Sequence, residues 1–354
     1  MPLQKHTNPV NEEQLRIISL TSFFSKQFEQ FVISWLLEFV GDKLDWGQYG
    51  GVKGSSISHY LIDFVNFILY NQDLAVPHAV LAAMVDFSKA FNRINHNTII
   101  TILSEMGVPG WLLRIVMGFL TNRELIVRYR GGLSGGKALP GGGPQGTRLG
   151  LFLFLILVNA AGFPHLEKHL GMKMTQHMNK RTPIPNIHVK YVDDISLAQS
   201  INMKECVVTN PDPNPVLPLQ YHDRTGHVLP TSQCALQVQL HNLAEYCKTY
   251  NMVINAGKTK VMMFNPSRTY DGTPKLTLPD MGDNYLEVVE TFKLVGVIIR
   301  SDMKWCDNTD YICKKGYSRL WMIRRLKGLG ADTKELLDVY QKQVRSVLEM
   351  AVPV

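Results

Sequence analysis

Three acidic residues form the most informative pattern in this sequence. Asp193 and Asp194 are adjacent, and β-favouring residues flank them at 189–192 and 195–197 with no Gly or Pro between. This pattern predicts a β-hairpin with both carboxylates at an exposed tip. Adjacent carboxylates repel, so they are kept together where water solvates them, where they cap another element, or where a hard cation such as Mg²⁺ neutralises them. For the pair alone, a solvated turn is the simpler interpretation.

The third acid is Asp86, which ends the uncharged and strand-like run 81–86. A buried strand that ends in a carboxylate requires an explanation. If this strand lies beside the hairpin, Asp86 and Asp193 can hold two Mg²⁺ ions about 3.5–4 Å apart, the arrangement that stabilises both the attacking and the leaving oxygen in phosphoryl transfer.

Composition limits the class of protein. The chain has 354 residues, of which 45% are hydrophobic, so it can bury a large core and form two or three subdomains. Its net charge of +7 favours an anionic partner. Five cysteines without close paired spacing indicate reduced thiols and an intracellular location, cytoplasmic or nuclear. The apolar run 149–158 is too short to span a bilayer, so we predict a buried helix and no membrane partner.

Hydrophobic periodicity places these acids among alternating helices and strands. It predicts helices at 22–39, 57–70, 95–106, 110–120, 149–158 and 311–326, a last helix opened by a capping box at Asp332, strands at 124–130 and 261–264, a hairpin within 288–300, and a surface insertion at 207–232.

Two glycine-containing segments are candidates for ligand contact. The loop 48–56 could touch phosphate or template through its amides, although a turn followed by a helix cap explains it nearly as well. Residues 143–147 lead directly into the apolar helix, and their glycines would let a base-pair-sized ligand approach. A plain loop-to-helix junction is the alternative.

In this order and at these intervals, the motifs from Arg16 to Val354 resemble those of the reverse transcriptases of non-LTR (LINE-type) retrotransposons. The resemblance implies an α/β (α+β) right-hand polymerase. Its fingers would cover about 1–78, its palm, an antiparallel sheet packed on helices, about 79–300 with a surface insertion near 200–233, and its partial helical thumb about 301–354. It further implies an RNA-directed DNA polymerase that adds dNTPs to a primer 3′-hydroxyl by two-metal phosphoryl transfer.

The resemblance also assigns roles to individual residues. Asp86 and Asp193 match the metal-binding carboxylates, with Asp194 as the neighbouring acid and the Phe87 carbonyl as a further ligand of two Mg²⁺ ions, Mn²⁺ being the alternative ion. Lys258 matches the lysine proposed as general acid to the pyrophosphate leaving group, and an exposed surface lysine is the alternative. The catalytic set is therefore Asp86, Asp193, Asp194 and Lys258.

The remaining matches concern substrates. Contacts with the nucleotide are expected at Arg16, Phe91, Pro144, Gln145 and Gly146. Phe91 would be the steric gate, for which core packing is an equal alternative, and a surface salt bridge is the alternative for Arg16. Contacts with an RNA template, a DNA primer or their duplex are expected at Gly50, Lys53, Phe292, Lys293, Gly296, Lys314, Lys315 and Arg319. Charged helix faces are usually only solvated, so the last three rest on their place after the hairpin.

Some features depart from the family pattern. Tyr191 and Val192 replace the usual Phe-Ala, Ile17 and Leu151 stand where Pro is typical, and Asn92 replaces a frequent Asp, but none of these changes removes a metal ligand. No endonuclease sequence precedes the motifs and the chain stops in the thumb region. We therefore expect a fragment or repurposed copy, with an endonuclease in trans left open as a partner.

Two other functions are compatible with parts of the pattern. A catalytically inactive remnant that still binds nucleic acid is the main alternative. A nucleotide cyclase with a similar palm is the other, and the Pro-Gln-Gly segment, the lysine motif and the thumb disfavour it.

Overall fold

The computed structural model describes residues 2–4, 15–76, 78–88, 91, 94–129, 131–139, 141–160, 181–202, 221–222, 228–229, 235–265, 276–282 and 284–350. Its helices are α1 (Phe23–Val40), α2 (Ile57–Gln72), α3 (His96–Glu105), α4 (Gly110–Leu120), α5 (Arg148–Ala160), α6 (Ala235–Thr249), α7 (Cys306–Gly328), α8 (Thr333–Val339) and α9 (Ser346–Leu348). Shorter helical turns are Gly41–Lys43, Pro279–Met281 and the π-helical Tyr340–Arg345.

Polar side chains start several of these helices. Ser22, Ser56 and Asn95 each accept a hydrogen bond from a backbone N–H in the first turn of α1, α2 and α3. At α8, Asp332 and Glu335 form the reciprocal capping box that the sequence predicts. The starts of these four helices are thus fixed by local chemistry.

Strands form one main sheet and several small ones. In chain order they are β1 (Pro2–Gln4), β2 (Leu15–Ile17), β3 (His78–Val85), β4 (Arg123–Leu125), β5 (Arg128–Tyr129), β6 (Gly132–Leu133), β7 (Lys137–Leu139), β8 (Asn186–Tyr191), β9 (Asp194–Asn202), β10 (Tyr221–His222), β11 (Val228–Leu229), β12 (Lys260–Phe264), β13 (Glu287–Val288), β14 (Thr291–Leu294) and β15 (Val297–Arg300). The main sheet has the order β13-β12-β3-β9-β8 and is antiparallel except between β12 and β13.

Both faces of the main sheet are covered. Along β3, Leu81, Ala83 and Val85 pack in a cluster that includes residues of α1, α3, α4, α5 and α6. The alternate residues Val80, Ala82 and Met84 pack with α2 and the β14–β15 hairpin. Because β3 is buried on both sides, it reads in the sequence as a continuous apolar run. The predicted class, a mixed fold with an antiparallel sheet packed on helices, is confirmed.

The strand predicted at 124–130 is wrong in detail. It is divided into β4, which pairs with β7, and β5, which pairs with β6. Between them, the Val127 N–H donates to Ser134 Oγ at 2.9 Å, so side-chain bonding interrupts the ladder. Most of the predicted insertion lies outside the described residues; β10 and β11 are the part that is described. Within the described chain, no helix has the length and apolar character needed to cross a membrane.

Candidate active site

The Asp193–Asp194 hairpin is the loop between β8 and β9. Tyr191 pairs with Asp194, so the turn consists of only Val192 and Asp193. Asp193 is exposed at the tip, as predicted, whereas Asp194 is the first residue of β9 and is half-buried. The two carboxylates therefore occupy different environments.

Asp86 lies beside this hairpin. Strands β3 and β9 are antiparallel neighbours, and their last paired residues at this end are Val85 and Ile195. The next position on each strand carries a carboxylate, Asp86 on one and Asp194 on the other. Three acids from two distant parts of the chain therefore meet at one end of the sheet, as the sequence predicts.

The acids create an excess of negative charge. Burial, together with the charges of Asp193 and Asp86, raises the pKa of Asp194 to about 6. Asp86 Oδ2 is buried and accepts no hydrogen bond from any described residue. Unsatisfied carboxylate oxygen and mutual repulsion are what a bound cation would relieve.

The side chains of the site could supply only some of the ligands of a divalent cation. Among the described residues, no three His, Cys, Asp or Glu side chains come together closely enough to hold a metal ion by themselves. Mg²⁺ is commonly held by one or two carboxylates together with waters and substrate phosphates. The Phe87 carbonyl is a further candidate ligand, because the backbone hydrogen bonds that tie this segment to residues 253–255 use the Asp86 carbonyl and the Ser88 N–H instead.

Lys258 is a cation that the fold brings close to Asp86. Its Nζ lies 3.7 Å from Asp86 Oδ2, while 71% of its side chain is exposed. The turn that carries it is tied to the same strand end, because the Asn255 N–H donates to the Asp86 carbonyl at 2.7 Å and the Asp86 N–H donates to Thr259 Oγ1 at 3.3 Å. These two hydrogen bonds therefore hold the turn that carries Lys258 beside Asp86.

The Pro144–Gly146 segment lies against the chain that follows β2. The Ser19 N–H donates to the Gln145 carbonyl at 2.7 Å. A Cβ on Gly146, whose φ is +102°, would lie 2.9 Å from Ile18 Cγ2, so only glycine fits there. Arg16 is in β2, two residues before this contact. The Pro144–Gly146 segment thus packs against the residues that directly follow the strand carrying Arg16.

Phe91 contacts the residue that precedes this segment. Its carbonyl accepts the Gly143 N–H at 2.7 Å. Its half-buried ring stacks on buried Phe154 of α5, with the centroids 4.6 Å apart. The stacking shows that Phe91 packs on the core, and its predicted role as the steric gate stays a prediction.

A buried charged cluster anchors the hairpin from behind. Lys190 of β8 is fully buried, and its Nζ lies 2.7 Å from Asp45 Oδ2. His188, also on β8, contacts the same oxygen at 2.8 Å. Burial by itself would raise the pKa of Asp45, but the hydrogen bond with His188 and the charge of Lys190 outweigh it and hold that pKa below its usual value. Burial lowers the pKa of Lys190.

Gly50 and Lys53 follow Asp45 in the loop before α2. Gly50 is buried against the hairpin, where a Cβ would lie 2.6 Å from the Val192 nitrogen. Lys53 is exposed. Gly50 is buried and has no side chain, so of these two predicted template contacts only Lys53 presents a side chain to solvent.

The β14–β15 hairpin and α7 form a second cluster of predicted residues. Lys293 Nζ and Lys315 Nζ lie 4.7 and 4.4 Å from the centroid of the Tyr311 ring. Phe292 is half-buried beneath the sheet, and a Cβ on Gly296 would lie 2.6 Å from Met350 Cε. Lys314 is exposed, whereas Arg319 donates to the Gln343 carbonyl at 2.6 Å.

Sequence reasoning missed several buried polar residues near these groups. Asp45, His188, Lys190 and Glu29 were not predicted as site residues, and neither was Tyr311. Lys190 could have been noticed as a lone charge within an apolar strand, but its partner is remote in sequence. No local pattern identifies Asp45.

Comparisons with known proteins agree with this geometry. A family described as "Reverse transcriptase (RNA-dependent DNA polymerase)" matches residues 3–299. A relative named "Probable RNA-directed DNA polymerase from transposon BS", from Drosophila melanogaster, is 23% identical over 93% of this chain and 32% of its own length. The "RNA-directed DNA polymerase from mobile element jockey" of Drosophila funebris is 22% identical over 94% of this chain and 32% of its own length. The chain thus spans about a third of the curated relatives it matches.

Solved structures of telomerase are similar to this chain at lower sequence identity. A telomerase from Candida Tropicalis in complex with a telomeric RNA fragment has a TM-score of 0.48 and 12% identity, over 93% of this chain and 46% of its own. A telomerase from Candida albicans in a similar complex has a TM-score of 0.41 and 13% identity, over 92% of this chain and 47% of its own.

Proposed function

The chain belongs to the reverse transcriptase family, and from this premise we propose that it catalyses RNA-directed DNA synthesis. In the proposed reaction the 3′-hydroxyl of a DNA primer attacks the α-phosphate of a dNTP that an RNA template selects. The observation that carries the proposal is the meeting of Asp86 with the Asp193–Asp194 hairpin at one end of the main sheet.

Members of this family generally use divalent metal ions. Asp86 and Asp193, with Asp194 and the Phe87 carbonyl beside them, would hold two Mg²⁺ ions, or Mn²⁺. When bound, such ions neutralise charge on the attacking and leaving oxygens. The raised pKa of Asp194 and the buried, unsatisfied Asp86 Oδ2 support this assignment.

The surrounding residues would bind the nucleotide and its leaving group. We assign Arg16, Phe91 and the Pro144–Gln145–Gly146 segment to the incoming dNTP. The contacts of Gln145 and Gly146 with the residues that follow Arg16, and the bond between Phe91 and Gly143, support this assignment. Lys258 would neutralise the pyrophosphate, or protonate it, since its ammonium already lies near Asp86.

Substrate binding would follow the predicted division into fingers at about 1–78, palm at about 79–300 and thumb beyond. Lys53 would contact the template, and the β14–β15 hairpin with Lys314, Lys315 and Arg319 of α7 would follow the duplex backbone. The Lys293–Tyr311–Lys315 contacts support a shared position for two of these cations. An endonuclease in trans would be a separate partner.

A primer-extension assay tests the proposal. With an RNA template, a DNA primer, dNTPs and Mg²⁺ or Mn²⁺, we expect the 354-residue chain to extend the primer. Asp193→Asn removes one charge at similar size and should lower the rate more than about 10²-fold. Asp42→Asn, at an exposed position in a helical turn, is the control and should retain activity.

Two results would contradict the proposal. One is equal extension by Asp193→Asn and the wild type. The other is salt-dependent binding of the duplex without any incorporation by the wild type, which would identify the chain as a nucleic-acid-binding remnant instead.

A further inference from the structure

The turn that presents Asp193 has an unfavourable backbone. Val192, its first residue, has a φ of 63°, a left-handed value that β-branched residues rarely adopt. Glycine or asparagine is usual where a two-residue hairpin requires a positive φ. Such a conformation persists only where the surrounding structure enforces it.

One side chain from another part of the chain contacts this turn. Gln48 is 4% exposed and lies in the loop between α1 and α2. Its Oε1 accepts the Val192 N–H at 3.3 Å and the Gly50 N–H at 3.1 Å. The same amide oxygen therefore fixes both the strained turn and the loop that packs on it.

The loop itself is held rigidly along the edge of the sheet. β8 is the edge strand, and Gln48 forms a parallel bridge with Lys190. The Lys190 N–H donates to the Gly47 carbonyl at 2.7 Å, and the Tyr49 N–H donates to the Lys190 carbonyl at 2.8 Å. The buried Asp45–Lys190 ion pair adds a third connection. The backbone on both sides of Gln48 is thus bonded to β8, which is one strand of the hairpin.

We propose that Gln48 is a positioning residue, which holds Val192 in its strained conformation and thereby aligns the Asp193 carboxylate with Asp86. The proposal rests on the proposed polymerase function for its kinetic consequence. Gln48 does not touch the reacting atoms; it acts through the Val192 N–H. Relief of the strain by glycine at position 192 should therefore make Gln48 dispensable.

A double-mutant cycle measures this coupling. Gln48→Leu keeps the side-chain size but removes the acceptor. Gln237→Leu is the matched control, because Gln237 also bonds backbone through its amide, to Thr277 at 3.1 and 2.9 Å, away from the hairpin. The readouts are amide hydrogen exchange of the 186–196 peptide and the single-turnover rate of nucleotide incorporation.

We expect Gln48→Leu to speed exchange in this peptide about fivefold or more. The incorporation rate should fall about 10²-fold with little change in KM for the dNTP, because the carboxylate is misplaced rather than removed. The Gln48→Leu/Val192→Gly double variant should regain most of both losses. Gln237→Leu should change neither.

Exchange of the 186–196 peptide that is the same in Gln48→Leu and Gln237→Leu would overturn the proposal. The proposal would also be overturned if the double variant incorporated nucleotide as slowly as Gln48→Leu and its 186–196 peptide exchanged as fast. If the wild type incorporates no nucleotide, the polymerase function fails, but the exchange measurements still decide whether Gln48 holds the turn.

Discussion

Lys258 shows how one residue can be tested against a simple alternative. Its ammonium is mostly exposed, which suits an ordinary surface lysine, yet its Nζ lies 3.7 Å from Asp86 Oδ2. An exposed ion pair by itself contributes little to stability. Stability therefore does not explain why this lysine lies beside Asp86, whereas the proposed role in charge neutralisation at the leaving group does.

We expect Lys258→Met to lower the single-turnover incorporation rate by about 10²-fold, because the leaving pyrophosphate loses a cation and a proton donor. Lys258→Arg should be intermediate, since arginine keeps the charge but does not release its proton. The free energy of unfolding should change by less than about 0.5 kcal/mol. Lys334→Met, at an exposed position of α8, is the control. Equal rates for Lys258→Met and Lys334→Met would show that Lys258 is only a surface lysine.

At the scale of elements, Glu29 joins α1 to α5. Glu29 is 2% exposed, and its Oε2 accepts the Arg148 and Leu149 N–H groups at 2.7 and 3.1 Å. A carboxylate at a helix N-terminus satisfies free N–H groups and complements the helix dipole. Because Gly146 ends the Pro-Gln-Gly segment just before α5, Glu29 also fixes where that segment points.

Glu29→Ala should lower the free energy of unfolding by about 2–4 kcal/mol, since the part-buried Arg148 N–H and the buried Leu149 N–H lose their acceptor. Glu29→Gln keeps one acceptor oxygen and should cost about half as much. Glu38→Ala, at an exposed position on the same helix, should change stability by less than about 0.5 kcal/mol. Urea denaturation measures all three. A Glu29→Ala variant as stable as Glu38→Ala would show that the capping bonds do not contribute.

The elements themselves could largely be predicted, whereas their buried polar connections could not. Helix α4 begins and ends at the predicted residues 110 and 120, because Pro109 precedes it and its apolar spacing is regular. An apolar strand that ends in an acid singles out Asp86 in the sequence, and the strand order of the sheet shows that it lies beside the hairpin. In contrast, Gln48 and Glu29 act on backbone groups that are remote in sequence. Hydrophobic periodicity carries no information about such partners, so only the fold could reveal them.

At the scale of the whole molecule, positive charge gathers on the side formed by the β14–β15 hairpin and α7. The chain carries a net charge of +7. Lys293 Nζ and Lys315 Nζ lie 4.7 and 4.4 Å from the centroid of the Tyr311 ring, which brings two ammonium groups from separate elements to one place. A nucleic-acid backbone that crosses this place would meet both, and each phosphate contact would release a counterion.

We expect binding of an RNA/DNA duplex to weaken with salt, and Lys293→Met and Lys315→Met each to reduce the slope of log K against log salt concentration by about 0.9. Lys342→Met is the control, because Lys342 is exposed on the same C-terminal part but pairs with Asp338 at 2.7 Å. Fluorescence anisotropy at several salt concentrations measures the slopes. If all three variants keep the wild-type slope, the duplex does not cross this face, and the thumb-like role of α7 must be withdrawn even if the chain polymerises.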